Sequence, residues 1–429
     1  FSAYEALPNG INAPLSVDIA EHLERAGADY LHVSSSTYML GGTAHPDVPP
    51  LFVPEGPLVP FAEQIKKKVG VPVIAVAGIT SPRKAEEIVA QGKADMVGVG
   101  RAMFADPHWA SKVHAGREEE VTPCIRCNMC HKKIVIDRAG SVECTVNPSL
   151  LAGGTKPAST GRRVVVIGGG PAGLEAALTA SERGHQVTLY EKSDQPGGNV
   201  RLGCIPPFKQ DLRRLLEYYE KRLRESDVRF VPGHEFTPEQ AKDGEADALV
   251  VAVGAPELVP DIPGIDREFV VTARRFYADG TLQGPGNTRA VVIGAGEVGC
   301  EIAWYLSMLG RPVCLVDVLP LGEWMADEHP TNRSILLEQL DRHGVQLLDD
   351  AGSIRVQSGP SVELERAGIG YAIGTEHVIL ATGYRRDDTT VRNLENTAGG
   401  AEVYPIGDCA DPRDIHWAIR EGYETGMRV

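Results

Sequence analysis

What the chain lacks narrows it first. No stretch approaches about 18 uninterrupted apolar residues, so no transmembrane helix is expected. There is no basic patch: 58 Asp and Glu outweigh 43 Lys and Arg, for a net charge of −15. That balance argues against nucleic acid or an anionic membrane surface as partner. No secretory signal is visible, and the first residue is Phe1 rather than Met. The cysteines do not read as a disulfide framework, since half of the eight stand isolated. A reducing, cytoplasmic setting is therefore expected, with a small-molecule substrate as the partner and a homo-oligomer left open. The remaining composition, 42% hydrophobic and 24% charged over 429 residues, is that of an ordinary globular protein of about three domains.

What the chain has is concentrated in one stretch, CIRCNMC, followed thirteen residues later by another cysteine. Cys124, Cys127, Cys130 and Cys144 thus form C-x2-C-x2-C-x13-C. Three thiols at that interval can wrap one face of a cubane cluster, and the fourth closes it, which matches thiolate ligation of a [4Fe–4S] centre. Zinc is the rival, although zinc ribbons usually split their ligands into two C-x2-C pairs on separate knuckles. Residues 151–161, rich in Gly, Pro, Ser and Thr, read as a linker after this segment.

Ahead of the cysteines, residues 1–115 alternate strands and helices. Apolar runs at 29–33, 72–76 and 95–99 predict buried parallel strands, with helices at about 16–26, 57–69 and 82–91. These make three βα units, with Phe1-Ser2 as a further strand end. A (β/α)8 barrel takes about 250 residues, so this is the C-terminal part of a TIM barrel and no closed barrel can be drawn. Glycines follow two of the strands, at Gly78 and Gly100, the latter beside Arg101. In such barrels the last two βα loops commonly bind phosphate, and plain turn chemistry is the simpler alternative.

Beyond the linker the fingerprint G-x-G-x-x-G occurs twice, each time between a predicted strand and helix. The first is GGGPAG at 168–173, with Glu191 ending the next strand 23 residues after Gly168. Gly168 permits the tight turn, Gly170 lets a pyrophosphate approach beside Ala172, and Gly173 lets the helix pack close. The second is GAGEVG at 294–299, where Gly294, Gly296 and Gly299 repeat the pattern and Asp317 again lies 23 residues on. An acid there accepts from both ribose hydroxyls and repels a 2′-phosphate, which favours NADH over NADPH. A purely structural second fold is the alternative. Cys204, Cys300, Cys314 and Cys409 are expected to be packed thiols.

The runs VPVIAVAGITSP and ADMVGVGRAMFADP, followed by CIRCNMC, resemble the old yellow enzyme group fused to an iron–sulfur and dinucleotide module. That group includes 2,4-dienoyl-CoA reductase, 2-enoate reductases, and trimethylamine and histamine dehydrogenases. The resemblance covers essentially the whole chain. It implies FMN in the barrel, with Gly78, Gly100 and Arg101 matching the FMN phosphate loops. It implies FAD in the first dinucleotide fold, with Glu191 and Gly198, and with Gly407 and Asp408 matching a second FAD signature. The stretch GGNVRLGCIPP echoes disulfide reductases, but with Cys204 alone it cannot form a dithiol relay. The resemblance also places a substrate loop after Val33, running to about residue 56. Its Tyr38 and His45 are candidate catalytic residues, able to protonate a substrate carbon or polarise a carbonyl, and Asp47 lies beside them. An ordinary polar loop is the alternative for each.

The expected organisation is then a partial FMN-binding barrel at 1–115, an iron–sulfur segment and linker at 116–160, an FAD fold at 161–265 and 382–429, and an NAD(H) fold at 266–381. The two dinucleotide folds have the arrangement of glutathione-reductase-like flavoproteins. The expected function is an NADH-dependent ene-reductase, with electrons passing from NADH to FAD, the [4Fe–4S] cluster, FMN and an activated alkene. An amine dehydrogenase is the alternative, passing electrons from FMN through the cluster to an electron-transfer flavoprotein.

Overall fold

A computed structural model describes residues 1–5, 7–35, 48–242, 246–280 and 288–429. The chain divides into two compact units, the first comprising Phe1–Lys156, Pro207–Glu225 and His329–Ser334, the second the remainder. The fold is mixed α/β with parallel sheets.

In the first unit, β1 (Leu31–Val33), β2 (Val73–Ala75) and β3 (Met96–Val97) form a parallel sheet in that order. The residues Phe1 and Ser2 continue it, since Ser2 bridges Ser34 in parallel and the Ala3 N–H donates to the Ser34 carbonyl at 2.7 Å. Helices Ala13–Arg25, Val59–Lys66 and Pro82–Ala90 lie between the strands. Local chemistry starts two of them: the Asn12 side chain accepts from the Leu15 N–H, and Ser81 accepts from the Lys84 N–H with proline in the first turn. The strands are shorter than their apolar runs predict. β3 keeps only two residues because Gly98 and Gly100 follow at once and carry the chain into a loop. No closed barrel is present among the described residues.

Helix Gln210–Glu225 also packs in this unit, burying Leu212, Leu215, Leu216, Tyr219 and Leu223 along one face. Asp211 is buried on that face too, and it returns below as part of the site.

The second unit holds two five-stranded parallel sheets of Rossmann type. One comprises β4 (Arg163–Ile167), β5 (Gln186–Tyr190), β6 (Arg229–Val231), β7 (Ala248–Val251) and a late strand at Glu402–Pro405, which pairs with β7. The other comprises β8 (Val270–Thr272), β9 (Ala290–Ile293), β10 (Val313–Val316), β11 (Gln346–Leu348) and a strand at His377–Leu380, in which β9 and β10 are buried at every position. Such all-apolar strands are what a sheet covered on both faces requires. Short antiparallel strands at Arg355–Val356, Ser361–Arg366 and Ile369–Gly374 complete the unit. Cys204, Cys300, Cys314 and Cys409 are all buried, and none is in a disulfide. Among the described residues, no helix is long and apolar enough to cross a membrane.

Helix Pro171–Glu182 is buried on nearly all sides, with the sheet beneath it and helix Ile415–Arg428 packed against it. The two helices meet at Gly422, where an added Cβ would lie 2.4 Å from the Ala172 carbonyl oxygen. Backbone cannot retreat as a side chain can, so Gly422→Ala is expected to lower unfolding stability by about 1–3 kcal/mol, read as a lower urea midpoint with an unchanged slope.

Candidate functional site

The four cysteines of the motif gather in the first unit, none in a disulfide. Their knuckle is built by two left-handed residues: Arg126 at φ +49° turns the chain between Cys124 and Cys127, and Asn128 at φ +64° turns it between Cys127 and Cys130. Asparagine enters this region readily, whereas arginine pays about 1–2 kcal/mol for it. Backbone N–H groups of Arg126, Met129, His131 and Val146 meet the sulfurs of Cys124, Cys127, Cys130 and Cys144 respectively. Thr145 Oγ1 lies 3.2 Å from Cys127 Sγ.

Burial pushes all four thiols up, Cys127 to about 12 and Cys130 to about 11. The charges of neighbouring thiols push Cys127, Cys130 and Cys144 further, and the Arg101 guanidinium pulls Cys124 and Cys130 back. Four desolvated, mutually repelling thiols with N–H donors aimed at them fit a cationic group that would take them as thiolates. Among the described residues no three His, Cys, Asp or Glu converge closely enough to hold a single metal ion. In a [4Fe–4S] cluster each thiolate binds a different iron, so its ligands do not converge on one point.

A cavity of about 480 Å³ adjoins this knuckle. Gly78, in the loop after β2, and Gly100 and Arg101, after β3, are brought together on its wall with Cys130, His131 and Ile134. Ala77 and Gly78 are both left-handed, at φ +75° and +65°, which curls that loop around the space. Arg101 does not point freely into it. Its guanidinium donates to Asn128 Oδ1 and, at 2.8 Å, to the Pro49 carbonyl. Asn128 in turn donates to Asn332 Oδ1 at 2.9 Å, and Asn332 donates to the Cys127 carbonyl at 3.1 Å. The left-handed residues of the knuckle are thus gripped by side chains from outside it.

Arg126 is gripped by charge. Its Nε donates to Asp211 Oδ2 at 2.7 Å and its Nη1 to the Val53 carbonyl at 2.6 Å. Asp211 also takes Arg214, and Arg214 lies 3.3 Å from Glu55. Glu55 accepts from the N–H and hydroxyl groups of Thr80 and Ser81, just past Gly78. Glu55, Asn128, Asp211 and Asn332 went unforeseen. The one sequence signal was Asp211, an acid on the apolar stripe of an amphipathic helix. The candidate catalytic residues Tyr38 and His45, and Asp47 beside them, lie outside the described residues.

The two dinucleotide turns, in the second unit, repeat one geometry. Gly168 at φ +105° and Gly294 at φ +103° leave no room for a Cβ, which would lie 2.3 Å from the Ala252 carbonyl oxygen and 2.4 Å from that of Ala381. A Cβ on Gly173 or Gly299 would strike the carbonyl oxygen of Gly168 or Gly294 at 1.9 and 1.8 Å. Gly170 and Gly296, each the N-cap of its helix, face open space instead. Glu191 accepts from the Gly169 N–H at 2.6 Å and the Ser193 N–H at 2.8 Å. Asp317 does the same with the Ala295 and Leu319 N–H groups. In the first fold, Gly198 packs on Gly170, a Cβ there falling 3.1 Å from the Gly170 Cα. Gly407 donates to Glu421 at 2.7 Å, and burial raises the neighbouring Asp408 carboxyl.

Residues 162–422 match the family described as pyridine nucleotide-disulphide oxidoreductase, and residues 51–120 match the NADH:flavin oxidoreductase / NADH oxidase family. An NADH oxidase of Thermoanaerobacter brockii is 33% identical over 441 residues, which cover 100% of this chain and 66% of the relative. A bilirubin reductase of Mediterraneibacter gnavus is 33% identical over 95% of this chain and 63% of its own. A solved structure of 2-naphthoyl-CoA reductase with 2-naphthoyl-CoA superposes with a TM-score of 0.89 at 26% identity, covering 100% of this chain and 64% of that one. The chain therefore spans just under two thirds of the length of these relatives.

The ionic network makes a pH-dependent prediction. Burial pushes the Glu55 carboxyl up, but Arg214 and the hydroxyls of Thr80 and Ser81 more than offset it, leaving it below its usual range. Its contribution is thus complete above the unfolded value of about 4.3 and fades as pH falls through the lowered folded value. Glu55→Gln is expected to cost about 1.5–3 kcal/mol at pH 7, and denaturant titrations at descending pH should find the gap from wild type closing only below pH ~4.

Proposed function

Since the chain belongs to the pyridine nucleotide-disulphide oxidoreductase family, and carries ahead of that region the NADH:flavin oxidoreductase pattern of the 2-enoate reductase group, we propose that it forms part of an NADH-dependent ene-reductase acting on an activated alkene, of the α,β-unsaturated carbonyl or enoyl-CoA type. The observation that carries this reading is the second dinucleotide turn. It keeps the three-glycine geometry of the first, with Gly296 open and Asp317 fixed by two N–H groups. An electron route that ended in an external acceptor protein would not need such a turn.

Each residue has a task in this reading. Asp317 accepts the ribose hydroxyls of NADH through the lone pairs its N–H partners leave free, and its charge disfavours a 2′-phosphate. Gly296 and Gly170 let a pyrophosphate reach the helix N-termini, where backbone N–H groups and the helix dipole favour negative charge. Glu191 holds the ribose of FAD, Gly198 keeps the wall behind it thin, and Gly407 and Asp408 hold its ribitol. Gly78, Gly100 and Arg101 form the phosphate end of an FMN cavity. Cys124, Cys127, Cys130 and Cys144 would hold a [4Fe–4S] cluster. When bound, the flavins would supply hydride chemistry and the cluster single-electron transfer. Tyr38 and His45 are the candidates for delivering a proton to the alkene.

Anaerobic mixing of the full-length protein with NADH is expected to bleach flavin absorbance rapidly, and NADPH to do so far less well. Asp317→Asn should raise KM for NADH by about 10- to 100-fold, the worth of one charge-assisted hydrogen bond, with kcat little changed. Bleaching by a methylated amine, with none by either nicotinamide, would replace this reading with an amine dehydrogenase.

A further inference from the structure

We propose that the Arg126–Asp211 pair is a backbone clamp, holding Arg126 in the left-handed conformation that returns the chain from Cys124 to Cys127 and so positioning those thiols for the cluster. The proposal rests on reading the four cysteines as iron–sulfur ligands.

Three observations meet at this pair. Arg126 occupies φ +49°, a conformation an arginine rarely adopts and has no intrinsic reason to keep. Its side chain is nevertheless 4% exposed, and that of Asp211 3%, so both charges have been taken out of water to meet at 2.7 Å. Buried pairs seldom add stability over apolar residues of the same size; one that persists beside a strained backbone has a conformation to enforce. The backbone N–H of the same residue meets the Cys124 sulfur, so any relaxation of Arg126 moves a group in direct contact with a ligand thiol. The clamp is also anchored at its far end. Asp211 is held by Arg214, Arg214 by Glu55, and Glu55 by the Thr80 and Ser81 groups next to the Gly78 loop. Asp211 is therefore a positioning residue, holding the knuckle through its hydrogen bond to Arg126.

A rival account gives the guanidinium a purely electrostatic role near the thiolates. Two substitutions separate the accounts, because alanine and glycine both remove the guanidinium but only glycine adopts φ > 0 freely. Full-length protein would be purified anaerobically with its cluster, and iron release to a ferrous chelator followed, with circular dichroism and flavin retention as controls on the fold. Arg126→Ala and Asp211→Asn are expected to release iron about tenfold faster than wild type, as loss of a residue supporting a metal ligand does. Arg126→Gly, and Asp211→Asn combined with Arg126→Gly, should release it near the wild-type rate. Equal rates for Arg126→Ala and Arg126→Gly, whether fast or slow, overturn the clamp. Should Asp211→Asn fail to fold, the two Arg126 variants decide the matter alone. Wild-type protein that carries zinc, or no iron and sulfide, would instead overturn the reading of the cysteines before any variant is made.

Discussion

Four thiols brought together, two buried and two half-buried, set the terms for the rest of the first unit. Burial alone opposes their ionisation, and each thiolate formed would oppose the next. The surrounding chain answers with N–H groups at every sulfur and with two guanidiniums, a half-buried Arg101 and a buried Arg126. Those cations must be neutralised or hydrogen-bonded in turn, since an unpaired buried charge costs several kcal/mol. Asn128 and Pro49 take Arg101, and Asp211 takes Arg126. The polar interior around the knuckle follows from the sulfur it encloses.

In the dinucleotide folds the governing constraint is steric, and it is met identically twice. A carbonyl oxygen at the end of one strand and another at the start of the helix leave space for hydrogen only at Gly168, Gly173, Gly294 and Gly299. The acid at the end of the next strand is pinned by two backbone donors, one from the glycine turn and one two residues on. Fixing the carboxylate in advance removes the rotamer entropy that a partner would otherwise have to overcome.

Much of this was legible from residue order. The parallel sheets, the two Rossmann turns and the burial of Cys300, Cys314 and Cys409 follow from short-range patterns: an apolar run, a glycine spacing, an isolated thiol. The short β3 is where pattern misled, because Met96–Val97 lies in an apolar run that Gly98 interrupts. What could not be read was any contact set by long-range folding. Asp211 meets Arg126 across 85 positions, and Asn332 meets Asn128 across 204. The left-handed Arg126 was equally hidden, since nothing in C-I-R-C predicts a conformation that local sterics disfavour and a distant carboxylate sustains.

Helix Gln210–Glu225 and the hexapeptide His329–Ser334 are borrowed: each is threaded out of a dinucleotide fold in sequence, yet packs with the first unit. The chain therefore leaves and re-enters each unit, and no single cut separates them. A fragment ending at the 151–161 linker would keep all four cysteines and lose Asp211, Arg214 and Asn332 together. The linker is thus one of several crossings between the units, and a cut there alone does not part them.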